Sequence, residues 1–282
     1  MQIQTIIDKI KAYHKGSVNE KRIDEETTRD KILYGNPNQE CTGIITTCWA
    51  SVEVIEEAIK KNANLIIAHE ALFWNHGDHI DWLKKGKNET FKKKQALLDE
   101  HGIVVWRDHD YIHSGIPMED GSYTDGIFYG LAHQLGWLSY VSKDIHNPLH
   151  FEIPETTVRE LASFLIERLH LNGVKIMGNP DNKVRKVRIP FHVLGDARED
   201  IQEADKEGID CYLTMEVVDF TLAEYIRDSS MLGLEKSIIG MGHFNLEEPG
   251  MEYMLTYLYD AIEEAIPAYY VQSGDMYSYI TK

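Results

Sequence analysis

The sequence predicts an α/β protein of two similar domains, each with a mixed, largely parallel sheet flanked by helices. Three observations predict it. Short apolar, β-rich runs alternate with runs of helical period along most of the chain, and parallel sheets follow from that rhythm. The second half repeats the order of elements of the first. A length of 282 residues with 43% hydrophobic and 27% charged content also suffices for two packed cores.

The elements read as follows. TGIITTC (42–48) is a buried strand, followed by Ser51 as N-cap and VEVIEEAIKKN as an amphipathic helix. NLIIA (64–68) is a second strand that stops at His69. A helix over 91–101 leads through Gly102 into a third strand, IVVW (103–106), which ends near Asp108. DGIFYGLAHQLGW (125–137) is helical. SYVSKDIHNP then breaks both periods, so the domains are expected to span 1–143 and 144–282. HFEI (150–153) opens the second half and a strong helix, TTVRELASFLIERLH, follows it. VKIMG (174–178) and VRKVRI (184–189) are strands joined by the turn-rich NPDNK. Helices over 197–207 and 220–228 bracket the strand DCYLT (210–214). KSIIGMG (236–242) is a buried strand, PGMEYMLTYLYDAIEEAI a long helix, and AYYVQ a last strand.

Bulk properties exclude several functions. No apolar run approaches the roughly eighteen residues of a membrane span, and the N-terminus lacks the pattern of a signal peptide, so a cytoplasmic address is expected. Cys41, Cys48 and Cys211 are odd in number and form no CxxC pair, which signals neither a disulfide framework nor a zinc knuckle. A net charge of −17 repels nucleic acid. The lysines between 84 and 94 are the one basic stretch, and no aromatic residues interleave with them for base stacking. An acidic surplus is compatible with divalent cations.

Side chains just past the carboxyl ends of strands share a crevice in α/β sheets. Three strands here end in metal-ligand types. His69 and Glu70 follow LIIA and face different directions, which suits two ions better than one. His76 and His79, in the loop beyond, are expected to flank a pocket rather than ligate. Asp108, His109, Asp110 and His113 crowd the end of VVW, and His109 and His113 share a face if the segment is helical. After SIIGMG, His243 and Glu247 stand four apart, a spacing that converges on one ion in a helical turn. Each pair alone has an ordinary surface or junction reading. Together they form mixed nitrogen and oxygen donors suited to zinc, iron, manganese, cobalt or nickel rather than calcium.

These residues resemble the Nif-three-like family, the GTP cyclohydrolase I type 2 homologues or dinuclear metal centre hexameric proteins. GNPNQECTGIITTCWASVEVIEEAIKKNANLIIAHEALFW, GIVVWRDHDYIH and IIGMGHFNLEE carry the likeness, which extends over nearly the whole chain. The resemblance implies two divalent metal ions in a cleft between the domains, held by His69, Glu70, His113, His243 and Glu247. It also implies a homohexamer. Glu70 stands where the family usually has a second histidine, and His113 where it has aspartate, so three imidazoles and two carboxylates remain. Asp110 and His109 stay open as alternatives to His113. The loop PFHVLGDARED, with a single Gly195, offers no phosphate cradle of the kind seen in many members. Glu216 matches an acidic position of the family, with Met215 in place of its glycine.

The function expected from these features is a metal-dependent hydrolase acting on a nucleotide-like or other small substrate through an activated water. His109, Asp110 and Glu216 are the candidates for proton transfer. The alternative is a metal-binding assembly or regulatory protein without turnover.

Overall fold

A computed structural model describes residues 1–190 and 192–280. The chain forms two compact units, Met1–Gly130 with Gly250–Ser273, and Leu131–Pro249 with Gly274–Lys282.

The first unit opens with α1 (Ile3–Tyr13), whose Ile3, Ile6, Ile7 and Ile10 fall on one face and are buried. A polar hairpin, β1 (Ser17–Val18) and β2 (Lys21–Arg22), precedes β3 (Ile32–Tyr34). β4 (Ile44–Thr47), β5 (Leu65–Ala68) and β6 (Val104–Arg107) are buried at every position, as strands covered on both faces must be. Helix α2 (Val52–Lys60) connects β4 to β5, and its N-cap is Ser51, whose Oγ accepts from the Val54 N–H at 3.2 Å. Helices α3 (Asp81–Lys85) and α4 (Glu89–Glu100) connect β5 to β6, with Asn88 capping α4. The short α5 (Asp110–Ser114), the hairpin β7 (Ile116–Pro117) and β8 (Tyr123–Thr124), and α6 (Gly126–Gln134) follow.

The second unit starts from β9 (His150–Thr157) and α7 (Val158–Arg168), where Thr157 and Glu160 form a reciprocal capping box. Then come β10 (Lys175–Met177), β11 (Lys183–Arg188), α8 (Arg198–Lys206), β12 (Cys211–Thr214), α9 (Glu224–Met231) and β13 (Ser237–Gly240). The strands lie in the order β10-β13-β12-β11-β9, parallel at the centre and antiparallel at both edges. The chain continues through α10 (His243–Tyr253) and α11 (Leu258–Ile262) to β14 (Ala268–Tyr270). β14 pairs in parallel with β4, completing the first sheet in the order β14-β4-β5-β6-β3. The sheets are thus mixed and mostly parallel, as the sequence predicts.

Two elements differ from expectation. The sequence places one boundary at 143/144, whereas the first unit ends at Gly130 and takes back Gly250–Ser273, because β14 belongs to its sheet. The long helix expected from Pro249 onward begins instead at His243 and is broken into α10, one tight turn (Met254–Thr256) and α11. Gly242 (φ +104°) sets the earlier start, Thr256 Oγ1 donates to the Tyr253 carbonyl at 2.7 Å, and left-handed Glu263 (φ +55°) ends α11. Among the described residues no helix is long and apolar enough to cross a membrane.

Candidate metal centre

In the first unit the tips of β5 and β6 deliver a dense group of imidazoles. His69 is fully buried immediately after β5, and its Nδ1 lies 3.0 Å from the Asp108 carbonyl. His109 and His113 share one side of α5 as their spacing predicts, and the His113 N–H donates to the His109 carbonyl at 3.2 Å. His109 Nδ1 meets Asp110 Oδ1 at 3.0 Å, and His113 Nδ1 meets Asp125 Oδ2 at 2.8 Å. Donor nitrogens of His69, His109 and His113 all lie within 4.8 Å of one another. Each Nδ1 is engaged by an oxygen, which places its proton there and assigns the lone pair of a neutral ring to Nε2. Metal-ligating histidines are oriented in the same way. Burial among His69, His113 and Arg107 pushes His109 down to about 4 despite its Asp110 partner, so its ring is neutral at neutral pH.

Glu70 belongs to a second, overlapping group with His76 and His109, again within 4.8 Å. Arg107, fully buried at the end of β6, fixes this loop. Its guanidinium donates to the His69 and His76 carbonyls at 3.0 and 2.9 Å, to Asp78 Oδ2 at 3.1 Å and to Glu70 Oε2 at 2.9 Å. With Oε2 held by arginine, Oε1 is the Glu70 oxygen turned toward His109, 3.8 Å from its Nε2.

Asp110 plays another part. Its Oδ2 accepts from Thr28 Oγ1 and the Arg29 N–H, both at 2.9 Å, and its Oδ1 faces His109. Burial raises its pKa, but these hydrogen bonds outweigh burial and hold the carboxyl below its ordinary range. It steadies a ring rather than joining the donor group. Asp30, buried on the neighbouring segment, accepts the N–H groups of His109, Asp110 and Tyr111 at 3.0, 2.7 and 3.2 Å and so fixes the start of α5.

In the second unit His192, Glu216 and His243 form a third group within 4.8 Å. Glu216 follows β12 and His243 opens α10. Glu216 Oε1 contacts His243 Nδ1, and its Oε2 lies 2.8 Å from His192 Nδ1. Burial raises the Glu216 pKa, but the two histidines outweigh it and hold the carboxylate ionised. His243 Nε2 and Glu247 Oε2 meet at 3.1 Å across one turn of α10, the geometry the i, i+4 spacing predicts.

Of the predicted residues, His69 and His113 stand in one donor group, Glu70 joins them through His109, and His243 and Glu247 meet across one turn of α10. Glu216 joins His243. His79 joins none of these groups, since its N–H and carbonyl bond Asn75. Sequence reasoning missed His192 as a donor and set His76 aside. His192 lies four residues past β11, so the strand-end rule applied there would have found it. Arg107, Asp30 and Asp125 carried no such signal, because their roles rest on contacts across the fold.

The donor set fits a borderline divalent ion: imidazole nitrogens oriented through Nδ1, carboxylate oxygens, and no thiolate. Residues 18–273 match the family model Duf34/NIF3 (NGG1p interacting factor 3). A GTP cyclohydrolase 1 type 2 homolog of Clostridium acetobutylicum is 23% identical over 242 residues, covering 83% of this chain and 82% of that protein. A Neisseria meningitidis protein of the same description is 28% identical over 176 residues, 62% of this chain and 64% of its own. The fold is similar to that of a Bacillus cereus protein related to NIF3, with a TM-score of 0.68 at 16% identity over 99% of both chains. With the match running through both units, the chain belongs to the Duf34/NIF3 family.

Proposed function

We propose that this protein is a metal-dependent hydrolase that holds two divalent ions with His69, Glu70 and His113 of the first unit and His243 and Glu247 of the second. The observation that carries this reading is the common orientation of His69, His113 and His243, each with Nδ1 met by an oxygen, which would make Nε2 the metal-binding nitrogen. Zinc, iron, manganese, cobalt or nickel would suit these donors. Such ions would supply a water of lowered pKa and would stabilise an oxyanion, the two requirements of hydrolysis at neutral pH.

The remaining side chains have definable tasks. Asp110 and Asp125 set the tautomers of His109 and His113. Glu216, ionised between two imidazoles, is placed to accept a proton next to His243. Arg107 neutralises part of the carboxylate charge around Glu70 and keeps that side chain from swinging away. A nucleotide-like or other small molecule is the proposed substrate class. The description of the Clostridium relative as a GTP cyclohydrolase 1 type 2 homolog supports this in name.

Elemental analysis of the purified chain tests the reading, alongside Glu70→Ala, His113→Ala and His243→Ala variants whose folding is checked by circular dichroism. Wild type should carry or take up about two equivalents, and each variant should lose metal. A wild type that takes up none on titration refutes the centre. Metal uptake with no hydrolysis of any nucleotide or ester supports the non-catalytic binder instead.

A further inference from the structure

Beside His243 and Glu216, the second unit contains a pocket of about 380 Å³, the size of a small organic ligand rather than an ion. Its floor is the carboxyl end of β12 and β13. Its outer wall is the chain's last described stretch, which is fastened in place. The Asn172 and Tyr277 N–H groups donate to Asp275 at 3.0 and 3.2 Å, and Asn172 Nδ2 donates to the Tyr277 carbonyl at 3.2 Å. The Tyr279 ring lies so close to Gly173 that a Cβ there would stand 2.9 Å from it.

Two features of the lining select a ligand. The first is charge. Glu216, Asp219 and Asp275 face the pocket against one cation, Lys175, which sits 4.8 Å from the centre of the Tyr277 ring. In the metal-free protein a polyphosphate would meet three carboxylates there, and the sequence provides no glycine-rich cradle to offset them. The second is the apolar and hydrogen-bonding surface. Phe244, Tyr277 and Tyr279 supply aromatic faces, and methionines fill the spaces between them with adaptable surface. Thr214, fully buried at the end of β12, lines this pocket with an Oγ1 that has no hydrogen-bond partner. A buried hydroxyl without a partner costs roughly 1–3 kcal/mol, a cost removed by a ligand that offers it a polar edge.

We propose that this pocket binds an uncharged or cationic planar heteroaromatic molecule, a nucleoside or aromatic amine rather than a nucleoside polyphosphate, with Tyr277 stacking on the ring and Thr214 Oγ1 reading its edge. The inference rests on the hydrolase reading for its placement beside Glu216 and His243, and it narrows the substrate class of that reading.

Isothermal titration of the protein with two matched pairs tests it: adenosine against ATP, and tryptamine against indole-3-acetate. Each titration is run as purified and again with EDTA, so that metal-bridged phosphate is recognised. Adenosine and tryptamine should bind at least about tenfold more tightly than their anionic counterparts. Tyr277→Leu, in the exposed C-terminal stretch, should weaken both by about tenfold, as expected for a lost stacking face. The near-isosteric Thr214→Val should weaken adenosine by about fivefold. Saturable binding of none of the four overturns the proposal. So does tighter or equal binding of the anions in EDTA, or affinities unchanged in both variants. Metal content is measured on the same samples. Lost ring preference with metal uptake intact refutes this inference alone, and lost metal uptake with ring preference intact refutes the metal centre alone.

Discussion

Replacing Asp30 by alanine should unfasten the histidine cluster of the first unit without touching a donor atom. The five residues of α5 are too few to form a stable helix alone. Three consecutive N–H groups at its start, from His109, Asp110 and Tyr111, converge on the Asp30 carboxylate at 2.7–3.2 Å, in a position only 5% exposed. The Thr28 hydroxyl, 2.8 Å from Asp30 Oδ2, shares its single proton between this carboxylate and that of Asp110. Losing a charge-assisted bond and leaving a buried N–H behind costs on the order of 1 kcal/mol each, so the three together come to about 3 kcal/mol, or roughly a hundredfold in the local opening equilibrium. Hydrogen exchange followed by mass spectrometry, on peptides spanning 105–116, should register that loss of protection. Metal affinity of the first unit should fall with it, because His109 and His113 ride on this helix. Asp30→Asn, which keeps an acceptor, should recover part of both. The reasoning fails if exchange in this segment changes by less than about twofold in the alanine variant, since a cap of this kind is worth at least about 0.5 kcal/mol.

Two further outcomes are expected. Burial pushes Lys94 down to about 7, although its ammonium faces the rings of Trp49, Phe73 and Trp74 and donates to the Leu72 carbonyl at 2.9 Å. Between about 7 and its ordinary 10.5 the unfolded chain holds a proton that the folded one has released, so stability from this group should rise with pH across that window, by roughly 1 kcal/mol per unit. Urea unfolding from pH 6.5 to 10 should show that slope flattened in Lys94→Met, and superimposable slopes would count against it. Gly242→Ala should destabilise the second unit by about 1–2 kcal/mol, because φ of +104° is strained for any side chain and a Cβ would stand 3.1 Å from Asn245 Nδ2. A thermal midpoint within one degree or so of wild type would show that the turn before His243 relaxes freely.

Much of this was legible in the sequence because it is local. IITT, LIIA and IVVW are apolar enough to declare buried strands, and residues directly beyond them inherit a shared crevice. The 109/113 and 243/247 spacings translate into helix faces without knowledge of the rest of the fold. What stayed hidden depends on distant partners. Asp30 reads as one more acidic loop residue until three N–H groups from 109–111 are seen pointing at it. His192 follows a strand of alternating charge, KVRKVR, which conceals that its end opens beside Glu216. The hairpin of β1 and β2 is too short and polar to show a period, and the break at 254–257 turns on one threonine hydroxyl.

The return of β14 to the first sheet has a consequence for how the chain comes off the ribosome. Residues 131–249 are synthesised, and free to collapse, before Ala268–Tyr270 exist to cover the outer backbone edge of β4. Until then an inner strand, buried at every position in the finished fold, presents an open row of amides and carbonyls, the template on which strangers add strands. A nascent chain stalled before residue 268 therefore leaves that edge of β4 uncovered and prone to aggregate, and Ala268–Tyr270 are the residues that close it.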